Sequence, residues 1–263
     1  MVALKLADAA DAISRERYQA LDLVVTTKPD KTPVTDADRA VERAIIGTLA
    51  EERPHDAILG EEFGEQTGQA SGSEVGGAEH PHRQWIIDPI DGTSNFLRGV
   101  PVWATLIALA VDGVPVVGVV SAPALGKRWW GSVGGGAWLT EGDHKPRRLG
   151  VSAVSALADA SISYNSLQQW DQAGYLDKLI GLSRKVWRTR AYGDMWSYMM
   201  VAEGVLDVAG EFDLKPYDMA ALMPIVREAG GTFTSIDGYA DCWHGSALAT
   251  NGALHAAILN ELN

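Results

Sequence analysis

The chain has 263 residues, enough for one large domain or two close lobes, and its 46% apolar and 21% charged content is ordinary for a globular protein. A net charge of -12 argues against nucleic-acid binding through phosphates, and a single cysteine, Cys242, excludes an intrachain disulfide framework and favours a reducing compartment. No apolar run approaches the roughly 20 residues that span a bilayer, so the sequence reads as a cytoplasmic protein with neither membrane nor nucleic acid as partner.

Residues 3–20 place apolar side chains at helical spacing among Lys5, Asp8, Asp11, Arg15, Glu16 and Arg17, which predicts an amphipathic helix and not a signal peptide. Residues 26–36 read as a polar loop containing Lys28, Pro29, Asp30 and Pro33. Asp36 then opens a second helix through about Leu49, with Val41, Ala44, Ile45 and Leu49 on one face. A short apolar stretch over 56–63 ends in Gly60-Glu61-Glu62-Phe63. Residues 64–83 are rich in Gly, Ser, Glu and His without a period; they read as a mobile loop, either closing over a neighbouring site or inserted without function. Trp85-Ile86-Ile87 is bulky and β-branched, so it reads as a buried strand. Asp88 precedes Pro89 and is biased towards extended backbone, while Gly92 permits a tight turn into a helix. Residues 102–122 read as a hairpin around Asp112-Gly113, and 127–140 as two strands around Gly134-Gly135-Gly136.

The texture changes near 146–160, which divides the chain into an N-terminal α+β lobe (1–150) and a C-terminal α/β lobe (151–263). In the second lobe strands are predicted over 160–164, 186–190, 205–210, 232–236 and 247–250, and helices over 172–182, 193–203, 218–229 and the terminus. Pro224 lies inside the 218–229 pattern and should kink it or loosen one turn.

Asp88 and Asp91 are the most informative pair. Two carboxylates at the end of a buried strand repel each other, and something positive should compensate them. The N–H groups of the following helix start aim at the same place, so a divalent metal and a phosphate both fit there. Glu61 and Asp218 add acidity, although each alone suits a surface carboxylate or a helix cap equally well. Of six histidines only His80 and His82 are close in sequence, and zinc is not expected.

Gly60-Glu61-Glu62, the Asp-Pro-Ile-Asp-Gly-Thr-Ser-Asn-Phe segment at 88–96, Asp218 with Met-Ala-Ala, and Glu228-Ala229-Gly230-Gly231 together resemble the inositol monophosphatase family, over nearly the whole chain from Lys28 to Gly252. The resemblance implies an α/β fold layered as a five-layer αβαβα sandwich, a homodimer, and phosphomonoester hydrolysis with two or three Mg2+ ions per active site. By position, Glu61, Asp88, the carbonyl of Ile90, Asp91 and Asp218 match the family's metal ligands, all hard oxygens of the kind magnesium selects. Two metals about 3.5–4 Å apart neutralise a phosphate, activate water and stabilise the leaving oxygen. Thr93 matches a water-orienting hydroxyl with Asp36 as its acidic partner; helix capping after Thr35 is the other use of Asp36, and the two are compatible. Glu61 counts with Asp36 and Thr93 among the catalytic residues, and the N–H groups of Gly92 and Thr93 match phosphate-oxygen donors.

The metal site does not choose the ester. Glu211, Asp194 and Asp91 match positions around the leaving alcohol, and carboxylates there suit a cationic alcohol. A second phosphate would need several Lys or Arg, and Lys215 is the nearby candidate. Leu214-Lys215-Pro216-Tyr217-Asp218, the run 187–194 and the run 28–36 resemble the histidinol-phosphatase branch of the family, which implies histidinol phosphate, a step of histidine biosynthesis. The alternatives are hydrolysis of an inositol phosphate and, from another class, a non-catalytic protein that binds or regulates a partner. Trp129, Trp130, Trp187 and Trp196 offer rings that stack on an imidazole or fill a core or dimer interface.

Overall fold

The amphipathic stretches near the N-terminus form α1 (Val2–Arg17) and α2 (Asp36–Glu52) in a computed structural model that describes residues 2–28, 32–68 and 80–263. Between them the expected polar loop is a short antiparallel ribbon, β1 (Val25–Thr27) with β2 (Pro33–Thr35). Val25 opposes Thr35 and Thr26 opposes Val34, so β-branched pairs override the loop-like composition. Pro29, Asp30 and Lys31 lie outside the described residues, as does 69–79 of the stretch read as a mobile loop. The start of that stretch is ordered as a strand, Gly64–Gln66.

The first large sheet contains β3 (Ala57–Gly60), β4 (Gly64–Gln66), β5 (Arg83–Asp91), β6 (Ala104–Val111), β7 (Val114–Ala122), β8 (Lys127–Ser132), β9 (Gly136–Glu141) and β10 (Arg147–Arg148), with α3 (Thr93–Arg98) after β5. Its strand order is β10-β9-β8-β7-β6-β5-β3-β4, antiparallel throughout except where β3 runs parallel to β5. The β6–β7 hairpin turns at Asp112 and Gly113, both with positive φ, the geometry that matches strand twist.

Both faces of this sheet are buried, which is why β5 and β6 read as apolar runs without alternation. Trp85, Ile87, Ile107 and Leu109 pack against α1 and α2, while Ile86, Leu106, Ala108 and Ala110 face the opposite core.

The remainder of the chain gives β11 (Ser161–Ser163), α4 (Leu167–Gln172), α5 (Leu176–Ser183), β12 (Arg188–Arg190), α6 (Asp194–Ala202), β13 (Val208–Phe212), α7 (Pro216–Met219), α8 (Leu222–Glu228), β14 (Thr232–Thr234), β15 (Ser246–Thr250) and α9 (His255–Leu262). The second sheet has the order β12-β11-β13-β15-β14; the first three strands are parallel, and β15 is antiparallel to both neighbours. Helices α6, α7 and α8 lie between the two sheets, and α4, α5 and α9 cover the far face. The result is the five-layer αβαβα sandwich. Among the described residues no helix is long and apolar enough to cross a membrane.

The helix expected over 172–182 begins four residues later, as α5, and α4, which has no counterpart in the sequence expectation, precedes it; Ala173 and Gly174, the latter with φ +78°, separate the two. A second expected helix, over 218–229, is divided into α7 and α8, and the break precedes Pro224. That proline is the third residue of α8, in the first turn, where a backbone N–H has no helical partner to lose.

Candidate active site

A cleft of about 790 Å³ opens where the C-terminal end of β5 meets the starts of α3, α6 and α7. Asp88 and Asp91 reach it from one strand because the strand is irregular. In regular β structure residues three apart point to opposite faces. Here Asp88 pairs with Leu106 and Asp91 with Ala104, so three steps on β5 match two on β6. The extra residue is a bulge at Pro89–Ile90, where proline has no ladder N–H to give. Thr105 Oγ1 donates to the Pro89 carbonyl at 2.8 Å and holds it. Gly92 then turns the chain with φ +82°; a Cβ there would lie 2.9 Å from the Val102 carbonyl, so any larger residue is both strained and crowded.

Asp218 arrives from α7. Its Oδ2 accepts the Lys215 N–H at 2.6 Å, so one oxygen caps the helix while the other is left for the cleft. Asp88, Asp91 and Asp218 bring carboxylate oxygens within 4.8 Å of one another. Glu61 follows β3, which lies beside β5; its N–H donates to the Ile87 carbonyl at 3.1 Å and its side chain lines the same cleft. Lys28 sits 2.8 Å from Glu61 and 2.5 Å from Glu62.

The electrostatics fit a cation. Asp88 Oδ1 is buried and accepts no hydrogen bond among the described residues. Burial first, then the charges of Glu61, Asp91 and Asp218, hold the Asp88 carboxyl well above the usual range. Asp91 is raised likewise by burial and by Asp194 and Asp218, against the Met195 N–H that donates to its Oδ2 at 2.8 Å. Burial lifts Asp218 to about 7. An orphaned buried oxygen within a cluster of hard donors is what a divalent ion would complete, and the residues that could hold one are Glu61, Asp88, Asp91, Asp218 and the Ile90 carbonyl.

Asp88, Asp91 and Asp218 hold protons more tightly folded than unfolded. Between about pH 4 and about pH 8 folding therefore takes up protons, and stability falls as pH rises. His255, whose pKa burial lowers, opposes the trend with a single group. Metal-free protein should lose roughly 3–5 °C of melting temperature per pH unit for each net proton. Saturating divalent cation should flatten or reverse the slope. Thermal melts near pH 5.5, 6.5 and 7.5, with and without the cation, measure it; a metal-free melting temperature that climbs across this window contradicts the cluster's charge state.

The acidic neighbour of Thr93 differs from the sequence expectation. Thr93 Oγ1 lies 3.3 Å from Asp38 Oδ1 and 3.0 Å from the Ile90 carbonyl, so its acidic neighbour is Asp38 and not Asp36. Asp36 turns away from the cleft: its Oδ2 accepts from Arg17 at 2.8 Å and its Oδ1 from the Val24 N–H at 3.3 Å. Thr35 caps α2 through a reciprocal box with Asp38, whose Oδ2 accepts from the Thr35 N–H and hydroxyl at 2.7 and 2.6 Å. That Thr-x-x-Asp spacing was the signal in the sequence that marks Thr35 as the cap and turns Asp38 inward. Burial lifts Asp38 to about 6.

The far wall of the cleft is also acidic. Asp194 Oδ2 accepts from Asn95 Nδ2 at 2.6 Å, and burial lifts this carboxyl to about 6. Asn165 Nδ2 and Tyr198 Oη both donate to Glu211 Oε2, at 2.6 and 3.3 Å, and burial lifts Glu211 to about 8. Asn95, Asn165 and Tyr198 carry no sequence signal beyond the 88–96 segment that contains Asn95. The candidate imidazole partners are placed elsewhere. Trp129 is in the inner core, Trp130 packs by α1 and α2, Trp196 packs on the inner core, and Trp187 is exposed. The aromatic rings lining the cleft, among the described residues, belong to Tyr198 and Tyr217. His80 stacks on Trp243 while His82 pairs with Asp112, so the two histidines do not converge.

A layered sandwich with hard carboxylates gathered at a bulged strand end has the architecture of a metal-dependent phosphatase. The sequence pattern of the inositol monophosphatase family matches residues 1–263. The histidinol-phosphatase of Mycobacterium tuberculosis is 55% identical over 263 residues, 100% of this chain and 97% of that one. The histidinol-phosphatase of Streptomyces coelicolor is 54% identical over 98% of this chain and 94% of that one. The crystal structure of extragenic suppressor protein suhB from Bartonella henselae matches with a TM-score of 0.86 at 30% identity, covering 100% of this chain and 97% of that one. The chain belongs to the inositol monophosphatase family.

Proposed function

We propose that the protein is a magnesium-dependent phosphomonoesterase that hydrolyses L-histidinol phosphate to L-histidinol and phosphate. The observation that carries this reading is the pair of largely buried carboxyls beyond the metal cluster, Asp194 and Glu211; burial holds Glu211 mostly protonated at neutral pH, and a cation binding beside it favours the ionised form. Glu211 accepts two internal hydrogen bonds on one oxygen and Asp194 accepts one, so each has its second oxygen for a ligand. Histidinol phosphate brings an ammonium group and an imidazole to such a wall, whereas a polyol brings only neutral hydroxyls. Among the described residues the basic ones lining the cleft are Lys28 and Lys215, both beside carboxylates, which is poor provision for a second phosphate. The full-length likeness to two histidinol-phosphatases agrees.

In this reading Glu61, Asp88, Asp91, Asp218 and the Ile90 carbonyl hold two or three Mg2+ ions, which supply charge neutralisation for the phosphate and an acidified water. The N–H groups of Gly92 and Thr93 hold phosphate oxygens at the start of α3. Asp38 takes a hydrogen bond from the Thr93 hydroxyl, freeing the Thr93 lone pair to accept from the attacking water and set its line of approach. Asp194 and Glu211 would hold the cationic alcohol, with Asp91 contributing from the same cleft. A homodimer in the cytoplasm serving histidine biosynthesis completes the reading.

The test is phosphate release from histidinol phosphate and inositol 1-phosphate with magnesium. Histidinol phosphate should be preferred at least tenfold in kcat/KM, about 1.4 kcal/mol, and Glu211→Gln should raise its KM more than that of a neutral ester. A tenfold preference for the inositol ester would replace histidinol phosphate by a polyol phosphate as the substrate.

A further inference from the structure

Glu42 is a fully buried carboxylate on α2, one turn beyond Asp38, and neither forms an ion pair with a cation among the described residues. Buried carboxylates without a cation are costly, so their partners matter. Those of Glu42 are two consecutive backbone amides: Oε2 accepts from Glu62 N–H at 2.8 Å and Oε1 from Phe63 N–H at 3.0 Å. The Glu62 N–H belongs to the peptide plane that follows Glu61, so fixing it fixes ψ of Glu61. The N–H of Glu61 is fixed on the other side by the Ile87 carbonyl at 3.1 Å. The backbone of Glu61 is thus held from both ends, once by the sheet and once by Glu42.

Gly60 completes the fit. A Cβ at that position would lie 1.8 Å from Glu42 Oε1, so the carboxylate fills the space a side chain would take. Helix α2 therefore presents two buried acids to the site, Asp38 against the Thr93 hydroxyl and Glu42 against the turn that carries Glu61.

We propose that Glu42 is a positioning residue for metal binding, whose carboxylate clamps the Glu62 and Phe63 amides and so aims Glu61 at the cluster of Asp88, Asp91 and Asp218. This rests on the metal reading of the cleft. A glutamine has one acceptor oxygen and turns an amide donor towards the second N–H, so Glu42→Gln breaks one bond of the clamp and sets donor against donor.

The experiment titrates phosphate-free protein with magnesium alone by calorimetry, with folding checked by thermal melting. Glu42→Gln should weaken magnesium about tenfold or more, the size of effect seen when a residue orienting a ligand is lost. With the ester present, kcat should recover as magnesium is raised, while the magnesium concentration for half-activity shifts upward. A merely structural role would lower the melting temperature and leave the titration where it was. Should Glu42→Gln fail to fold, Glu42→Asp, which keeps the charge but draws it back by one methylene, is read in the same way with a loss of about threefold or more. Magnesium affinity within twofold of the parent overturns the proposal alone. A parent protein that takes up no magnesium overturns both it and the metal reading.

Discussion

Asp91→Asn cuts phosphate release by at least about 1,000-fold, close to 4 kcal/mol of transition-state stabilisation, and leaves the fold in place. The asparagine keeps the shape of the side chain and its oxygen still accepts the Met195 N–H that Asp91 Oδ2 now holds at 2.8 Å, so the start of α6 has no cause to move. What is lost is one hard, negative donor from the three that come within 4.8 Å of one another. The same substitution should raise the melting temperature of metal-free protein at neutral pH, because burial and the charges of Asp194 and Asp218 make the Asp91 carboxylate costly to ionise in the empty cleft. Activity and metal-free stability thus move in opposite directions, which separates a ligand from a structural residue. Phosphate release at saturating magnesium and paired melts with and without the ion measure both. Full activity of the variant would remove the carboxylates from the chemistry and leave the non-catalytic, partner-binding reading of this acidic chain in its place.

The parts of the molecule legible in the sequence are those where a local pattern and the tertiary structure ask for the same thing. Trp85-Ile86-Ile87 reads as buried because both faces of β5 are covered, and Asp112-Gly113 reads as a hairpin because that turn needs two positive φ values. Asp88 and Asp91 read as a metal pair because buried like charges need a counter-ion, whereas Asp218 joins them in the sequence only through the family resemblance. What was not legible depends on geometry that sequence does not encode locally. The bulge at Pro89–Ile90 is set by pairing with β6, and without it Asp88 and Asp91 would face opposite ways. The breaks at Gly174 and before Pro224 are turns between helices of one layer, and each is set by how the two helices pack. The tryptophans were ambiguous because indole serves a core and a pocket equally well, and Trp129 fills the core behind β8. Glu42 looks in sequence like one more charge on an amphipathic helix; only the approach of the 60–63 turn makes it internal.

Asp38→Asn and Asp36→Asn, two residues apart on one helix, should differ sharply. Asp38→Asn lowers kcat about 100–1,000-fold, the range for a general acid–base contribution, with little change in KM. The Asp38 carboxylate is buried, holds Thr35 through one oxygen and reaches the Thr93 hydroxyl with the other. An asparagine can keep the Thr35 contacts but cannot take up the partial charge that develops on Thr93 Oγ1 as water is deprotonated. Burial has already lifted Asp38 to about 6, within reach of the pH at which it must act, so the acid limb of the kcat–pH profile should change shape in this variant. Asp36→Asn should alter kcat less than about twofold and cost under about 1 kcal/mol, because its ion pair with Arg17 is partly solvated and its place in the first turn of α2 is only a favourable charge. Part of the Asp38 effect on stability comes from the capping box, worth about 1 kcal/mol, so melts must accompany the kinetics to divide the two. If Asp36→Asn carries the loss in kcat and Asp38→Asn does not, Asp36 serves the Thr93 hydroxyl in the working enzyme, and both its bonds to Arg17 and Val24 and the Thr93–Asp38 contact must be exchanged for that arrangement.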